Sequence, residues 1–431
     1  MCYAIPARLV EIKDNIGIVD YFGERKKALI DYSDVKVGDY VYVQGGILIN
    51  KVSKKEAEEI LEAFKELFFQ LKKIDKNLAK VENKTASKNL LEILQKVNLN
   101  KTLTKDELLT LLNVTEKNEL KILFETANNI RQRKHANACC VHGIIEFSNY
   151  CKNNCFWCGI RKDADIVRYR MKLDEIITAS LYAIKKLNFK ALVLQSGEDN
   201  WYTEEILSKI ISELKKLNIL IFLSIGERPV NTYEKLYKIG ARGVLLRFET
   251  SNEKIYKELK PESTLKQRLQ LIKDLKNMGF VLATGFLVGL PQETDEDIIN
   301  NILLTKELKP DMYSFGPFIP KEGTPLQSQK LIDKYKILKI IAITRFVDKN
   351  SNILVTTAQE TLDKNLKKLA LLSGANSLMI NLTPQKYKDL YCIYPRNNDS
   401  NVERLIEENI KLLYSIGRAP LDLGLYKDLS N

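Results

Sequence analysis

No stretch of the 431-residue chain approaches the run of about twenty apolar residues that a membrane-spanning helix needs. The N-terminus, MCYAIPARL, lacks the basic, apolar and small-residue zones of a secretory leader, so a reducing cytoplasm is expected. In that compartment the seven cysteines should stay thiols or metal ligands. A basic block is missing too: the net charge is +12, but lysines are spread along segments such as KELKPESTLKQ and KKLNFK, and the densest cluster, RQRK at 131–134, is short. This pattern reads as a solvated surface, and neither nucleic acid nor membrane is expected as a partner. What remains is long enough for more than one domain, and 45% hydrophobic residues suffices for a substantial core.

Three of the cysteines are clustered. Cys151, Cys155 and Cys158 stand in EFSNYCKNNCFWCGIR, a CxxxCxxC triplet between an apolar strand-like segment and a basic loop. A structural zinc site would need a fourth Cys or His, and none lies just downstream; three is odd, which argues against disulfides. Three thiolates on a tight loop can bind three irons of a cubane 4Fe-4S cluster and leave the fourth iron without a protein ligand. An open iron is a chemical site as well as an electron store. Cys139 and Cys140, adjacent and upstream, read as packing residues.

The chain divides near residue 75. Residues 3–52 alternate as short strands, ARLVEI, IGIVDYF, KKALIDY and GDYVYVQGGILINKV, with turn signals at Asp14-Asn15, Gly23 and Gly38-Asp39, and predict a small β barrel. A helix follows from about Lys54, with Ser53 and Glu56 as a capping box and an apolar stripe through Phe64, Phe68 and Leu71 suited to close the barrel's open end. Residues 76–88 are polar, without periodicity, and read as a flexible linker. Residues 89–431 begin with helices, among them one capped by Thr104 and Glu107, and then alternate strand and helix eight times. The strands fall near 142–148, 190–195, 219–224, 242–249, 280–287, 311–315, 352–355 and 376–380. That is the pattern of an α/β fold of the (βα)8, TIM-type class, in which chemistry sits at the carboxyl ends of the strands.

The spacing of the triplet, with Trp157 before its third Cys, resembles the radical S-adenosylmethionine (SAM) enzymes. In order along the chain, IEFSNYC, CGIRK, RYRM, VLQSGED, LSIGERP, LLRFET, GFLVGLPQET, GPFIP, TTA and GANSLMINLTP resemble the FeFe-hydrogenase maturase of the HydE type from about residue 86 onward. The resemblance implies that SAM binds the open iron of one cluster and is cleaved reductively to methionine and a 5'-deoxyadenosyl radical. It implies that Ser196, Gly197 and Glu198 receive the SAM ammonium and that Glu227 lies near the nucleoside or sulfonium. Arg247 and Glu249 end the fourth strand, where a guanidinium suits the methionyl carboxylate. Gly285 and Gly289 let chain pass close to the adenosine, and Thr294 caps the next helix. Thr356, Thr357, Tyr391 and Tyr394 are candidates to line the barrel top against a small anionic substrate. His142, where the family commonly has Arg, is a further candidate. Several members hold an auxiliary cluster on three C-terminal cysteines; only Cys392 lies beyond Cys158, so one cluster is expected.

MCYAIPARLVEI, VDYFGERKKA and VGDYVYVQGGILI resemble the small hydrogenase-maturation chaperones of the HypC/HupF type over about residues 1–75. There Cys2, exposed once Met1 is removed, takes part in holding an iron fragment and a partner protein; Gln44 stands where that family usually has His. Together these imply a maturase for the FeFe-hydrogenase active-site cluster, acting on an iron-bound cysteine substrate with other maturases and a reductant such as ferredoxin or flavodoxin. Two alternatives stay open. One is biosynthesis of a small metabolite, as in biotin synthase or methylornithine synthase; the other is a non-catalytic iron carrier.

Overall fold

Five short strands close a small barrel ahead of a much larger one. The computed structural model describes residues 5–31, 34–82, 85–395 and 401–420. In the small barrel β1 (Ala7–Lys13), β2 (Ile16–Tyr21) and β3 (Glu24–Ile30) form a meander, and β4 (Tyr40–Gln44) and β5 (Ile47–Val52) complete the ring in the order β1-β2-β3-β5-β4. The run GDYVYVQGGILINKV is therefore two strands. Gln44 pairs with Ile47 across Gly45 and Gly46, whose φ angles of 59° and 75° make a two-residue turn that side chains with a Cβ resist. Helix α1 (Lys54–Leu78) starts at Ser53, whose hydroxyl accepts the Glu56 N–H, and brings Phe68 and Leu71 against Ile5, Leu9, Val19 and Tyr21.

The stretch read as a flexible linker begins as locked structure. α1 runs to Leu78, and its Asp75, 1% exposed, accepts a bidentate pair from Arg131 (2.8 and 2.9 Å) and a further bond from Arg418 (2.9 Å). The carbonyls of Leu78 and Ala79 accept the side-chain amides of Asn128 and Asn129. Arg131, one of the basic RQRK cluster, is thus spent on an internal ion pair. Helices α2 (Lys88–Asn98), α3 (Lys105–Leu112) and α4 (Lys117–His135) follow, α3 with a full Thr104–Glu107 capping box.

The large barrel is an eight-stranded parallel ring. Its strands are β6 (Cys140–Ser148), β7 (Ala191–Ser196), β8 (Leu220–Ser224), β9 (Gly243–Leu245), β10 (Val281–Thr284), β12 (Met312–Tyr313), β14 (Asn352–Val355) and β15 (Ser377–Asn381). The two-residue strands β11 (Leu287–Val288) and β13 (Gly316–Pro317) pair above the ring. Alternation sets which side chains face the axis. On β6, Val141, Ile145 and Phe147 join the main core under the helices, whereas Ile144 faces inward with Ala191, Val193, Leu220 and Phe222. Ile47 of the small barrel belongs to that inward cluster. The Gly45-Gly46 hairpin therefore plugs the amino-terminal mouth of the large barrel. No helix among the described residues is long and apolar enough to cross a membrane.

Candidate active site

The loop after β6 carries the three cysteines and is tied down by its own polar side chains. Asn149 donates from Nδ2 to the carbonyls of Val167 (2.8 Å) and Leu390 (2.9 Å) and accepts the Tyr169 N–H (2.7 Å). Arg168 gathers the carbonyls of Asn149, Ile160 and Arg161 at 2.6 to 3.0 Å, closing the loop on itself. Gly159 is required where the loop meets the C-terminal segment, since a Cβ there would stand 2.2 Å from the Cys392 carbonyl oxygen. Asp199, 3% exposed, joins the ends of β6 and β7 by accepting from Arg170 Nε (2.7 Å) and Ser148 Oγ (2.7 Å).

Cys151, Cys155 and Cys158 line one wall of a cavity of about 270 Å³ at the carboxyl mouth of the barrel. Burial pushes the thiols of Cys151 and Cys155 up and that of Cys158 to about 12, so the bare loop keeps its sulfurs protonated. A bound metal reverses that preference, because only the thiolate ligates. Among the described residues no three His, Cys, Asp or Glu side chains gather closely enough to share one metal ion. Three thiolates on one loop suit a polynuclear cluster, in which each binds a different iron.

The same cavity collects most of the side chains singled out from the sequence: Trp157, Ser196, Gly197, Glu198, Arg247, Glu249, Thr356, Thr357, Tyr391 and Tyr394. Gly197 permits close approach, as a Cβ would fall 2.2 Å from the Tyr150 carbonyl oxygen, and the Glu198 N–H then points at Cys151 Sγ from 3.4 Å. Glu249 holds φ at +69°, a strained conformation costing about 1–3 kcal/mol, and lies 3.4 Å from Arg247. Buried Glu198 Oε2, Glu249 Oε2, Lys260 Nζ and Thr356 Oγ1 make no hydrogen bond within the protein. The three charged atoms lie 3.4 to 3.7 Å from an opposite charge (Glu198 from Lys152, Glu249 from Arg247, Lys260 from Glu227), so each keeps hydrogen-bonding capacity that a zwitterionic, hydroxyl-bearing ligand such as SAM can take up.

Three of the expected residues stand elsewhere or act differently. Glu227 is not on the cavity wall; it pairs with Arg268 Nε (2.7 Å) and Lys260 (3.7 Å) and accepts from Ser263 (2.7 Å). Burial opposes its charge, but Arg268 and Lys260 outweigh that and hold its carboxyl below the usual range. His142 lies at the other end of β6, beside a different cavity at the amino-terminal mouth, away from the cysteine loop. Gly285 is demanded by the neighbouring backbone, a Cβ there meeting the Ser314 carbonyl at 2.2 Å, while Thr294 caps the following helix with Asp297. Cys2 lies outside the described residues.

Sequence reading missed Lys260 and Arg268, 2% and 5% exposed. Arg268 also reaches Glu198 (3.3 Å), so one guanidinium serves the carboxylates that end two successive strands. The available signal was an arginine on the apolar face of an otherwise amphipathic helix, Leu265–Asn277.

Comparison with known proteins agrees with this layout. Residues 1–64 match the HupF/HypC family, residues 145–304 the radical SAM superfamily, and residues 314–414 the biotin and thiamin synthesis associated domain. The chain is 38% identical over 305 residues to the [FeFe] hydrogenase maturase subunit HydE of Thermotoga maritima, covering 70% of this chain and 87% of that one. It is 30% identical to 3-methylornithine synthase of Methanosarcina acetivorans, over 74% and 90% of the two chains. Among solved structures, methylornithine synthase superposes with a TM-score of 0.69 at 26% identity over 77% of this chain and 98% of that one. The maturase HydG of Carboxydothermus hydrogenoformans shares the fold, with a TM-score of 0.68 at 20% identity over 82% and 84%. With its cysteine loop at the barrel mouth and a HupF/HypC domain in front, the chain belongs to the radical SAM enzymes, in the HydE family of [FeFe] hydrogenase maturases.

Proposed function

We propose that the chain carries one 4Fe-4S cluster on Cys151, Cys155 and Cys158 and, in assembly of the FeFe-hydrogenase active-site cluster, acts on a small sulfur-containing, iron-bound cysteine substrate. When bound, the cluster and SAM supply methionine and a 5'-deoxyadenosyl radical by one-electron reductive cleavage. Glu198, whose Oε2 has no hydrogen-bond partner, receives the SAM ammonium beside the Gly197 backbone. Arg247, partly exposed in the cavity wall, takes the methionyl carboxylate. Arg268, paired with Glu198 and Glu227, and Lys260, paired with Glu227, act as positioning residues that hold the two carboxylates in place. Thr356, Thr357, Tyr391 and Tyr394 offer hydroxyls to the substrate. The electron comes from a reductant such as ferredoxin or flavodoxin, and the substrate from other maturases.

The observation that carries the reading is the union in one chain of a barrel 38% identical to HydE with a HupF/HypC domain. Likeness to methylornithine synthase speaks for a metabolite substrate, but it leaves the front domain without a role. Anaerobic reconstitution should give about four irons per chain. The reduced protein should form 5'-deoxyadenosine and restore hydrogenase activity when combined with the other maturases. Two cubanes by Mössbauer spectroscopy, or SAM cleavage without hydrogenase maturation, would overturn it. Cys2→Ala should leave SAM cleavage intact and slow maturation; equal maturation rates would strike Cys2 from the site.

A further inference from the structure

We propose a second, soft-metal site at the amino-terminal mouth of the large barrel, built from Cys140 and His142 of β6 and faced by Gln44 of the small barrel. Alternation places 140, 142 and 144 on the inward face of β6, while Cys139 turns outward into the core under the helices. The two adjacent cysteines therefore serve different surroundings. Cys140 and His142 are 3% and 2% exposed, and Cys140 Sγ lies 2.8 Å from His142 Nε2. The 2.8 Å contact is a hydrogen bond, and the pair need open by only a few tenths of an ångström to reach the roughly 3.0–3.5 Å that bonds of about 2.3 and 2.0 Å to one metal span. Gln44, fully buried, points Nε2 at the same sulfur from 4.0 Å, a contact suited to support a thiolate from the second coordination sphere.

The surroundings have room for a guest. A cavity of about 750 Å³ lies between the two barrels, with His142, Gly45 and Ile47 among its lining. Lys101, Lys276, Lys306, Lys309 and Lys349 outnumber Asp311 and Asp348 around it; Lys276 is paired with Asp311 and Lys349 donates to Val97 and Asn100, and the remaining net positive lining favours an anionic ligand. A thiolate with an imidazole selects a late first-row metal over magnesium or calcium, and iron(II) is the member of that class already at home in this chain's chemistry. The site thus takes a thiophilic first-row metal ion held by Cys140 and His142, of which His142 also lines the cavity. Ile144 and Glu146, the next inward positions on β6, line the upper cavity, so the site lies below these two side-chain layers on the inner face of the barrel. Only the identity of the guest as cargo for maturation rests on the function proposed above; the metal site stands by itself.

Cobalt(II) is the probe, since its absorption edge is separate from that of cluster iron. Added anaerobically to the cluster-loaded full chain, it should bind at about one per chain, with X-ray absorption fine structure showing sulfur and imidazole scatterers together. Cys140→Ser should remove the sulfur and His142→Gln the imidazole, each weakening cobalt binding at least about tenfold, while cluster content and 5'-deoxyadenosine formation match the parent. If Cys140→Ser fails to hold its cluster, the parent spectrum and His142→Gln decide. The proposal is overturned if the parent binds no cobalt, if both variants keep the parent spectrum, or if only Cys2→Ala removes the signal. Loss of SAM cleavage with the cobalt site intact would sink the proposed function and leave this one standing.

Discussion

The two mouths of the large barrel are closed in opposite ways. The carboxyl mouth is ringed by charge: Glu198, Arg247, Glu249, Lys260 and Arg268 share a small cavity with three cysteines, and Glu249 holds a strained backbone. The centre of the amino mouth is stoppered by Ile47, in one apolar cluster with Ile144, Val193 and Phe222, beside a cavity whose lining carries Lys306, Lys309 and Asp311. Hydrophobic burial favours the lower closure outright. The upper arrangement persists because paired charges and tied loops offset its strain, as expected where a scaffold holds chemistry. The lesson is that one barrel is closed by strained, charge-paired loops at one end and by apolar packing at the other.

Removing one of the three loop cysteines should break the comparison most completely. Cys151→Ala, Cys155→Ala or Cys158→Ala is expected to reduce 5'-deoxyadenosine formation to background by chromatography, with the lower closure unaffected by thermal melting.

Next in size are the buried ion pairs. Arg268→Met leaves the Glu198 and Glu227 carboxylates facing each other without their shared cation, and about 3–5 kcal/mol of stability should be lost in denaturant titration, together with SAM affinity. Asp75→Ala, which strands Arg131 and Arg418, should cost a similar amount while leaving the affinity for SAM unchanged. Equal loss of SAM binding in both would mean that the two regions are not separable.

Ile47→Ala tests the stopper. Its side chain is 4% exposed, and its truncation should cost about 2–4 kcal/mol with SAM cleavage retained. Retained stability would show that the hairpin merely rests on the barrel.

The smallest effect expected is a pH dependence. Burial raises the Glu293 carboxyl to about 7, although it accepts the Gly289 N–H (2.6 Å). A folded pKa above the unfolded value means that stability is present at low pH and is lost as pH rises through about 4.5 to 7. Glu293→Gln should therefore raise the melting temperature more at pH 8 than at pH 5. A shift equal at both values would show that the carboxyl is not held protonated.

Much of this molecule can be read locally. Cysteine spacing, alternating apolar residues and helix caps such as Thr104 with Glu107 depend on neighbours within a few positions, so the loop, both barrels and the order of strands were legible in the sequence. The hairpin at Gly45-Gly46 carried a turn signal as well, but a continuous apolar run concealed it. Long-range partners were not legible. That Arg268 lies between Glu198 and Glu227, that Asp75 joins residues 56 and 343 positions away, and that His142 faces the lower cavity depend on which strand ends and helices the closed ring brings together. Residue chemistry and spacing by themselves determined the cysteine loop and the fold class, because both rest on short-range periodicity. The tertiary structure alone decided which charges are neutralised and which mouth each side chain serves, because burial and pairing are properties of the assembled barrel.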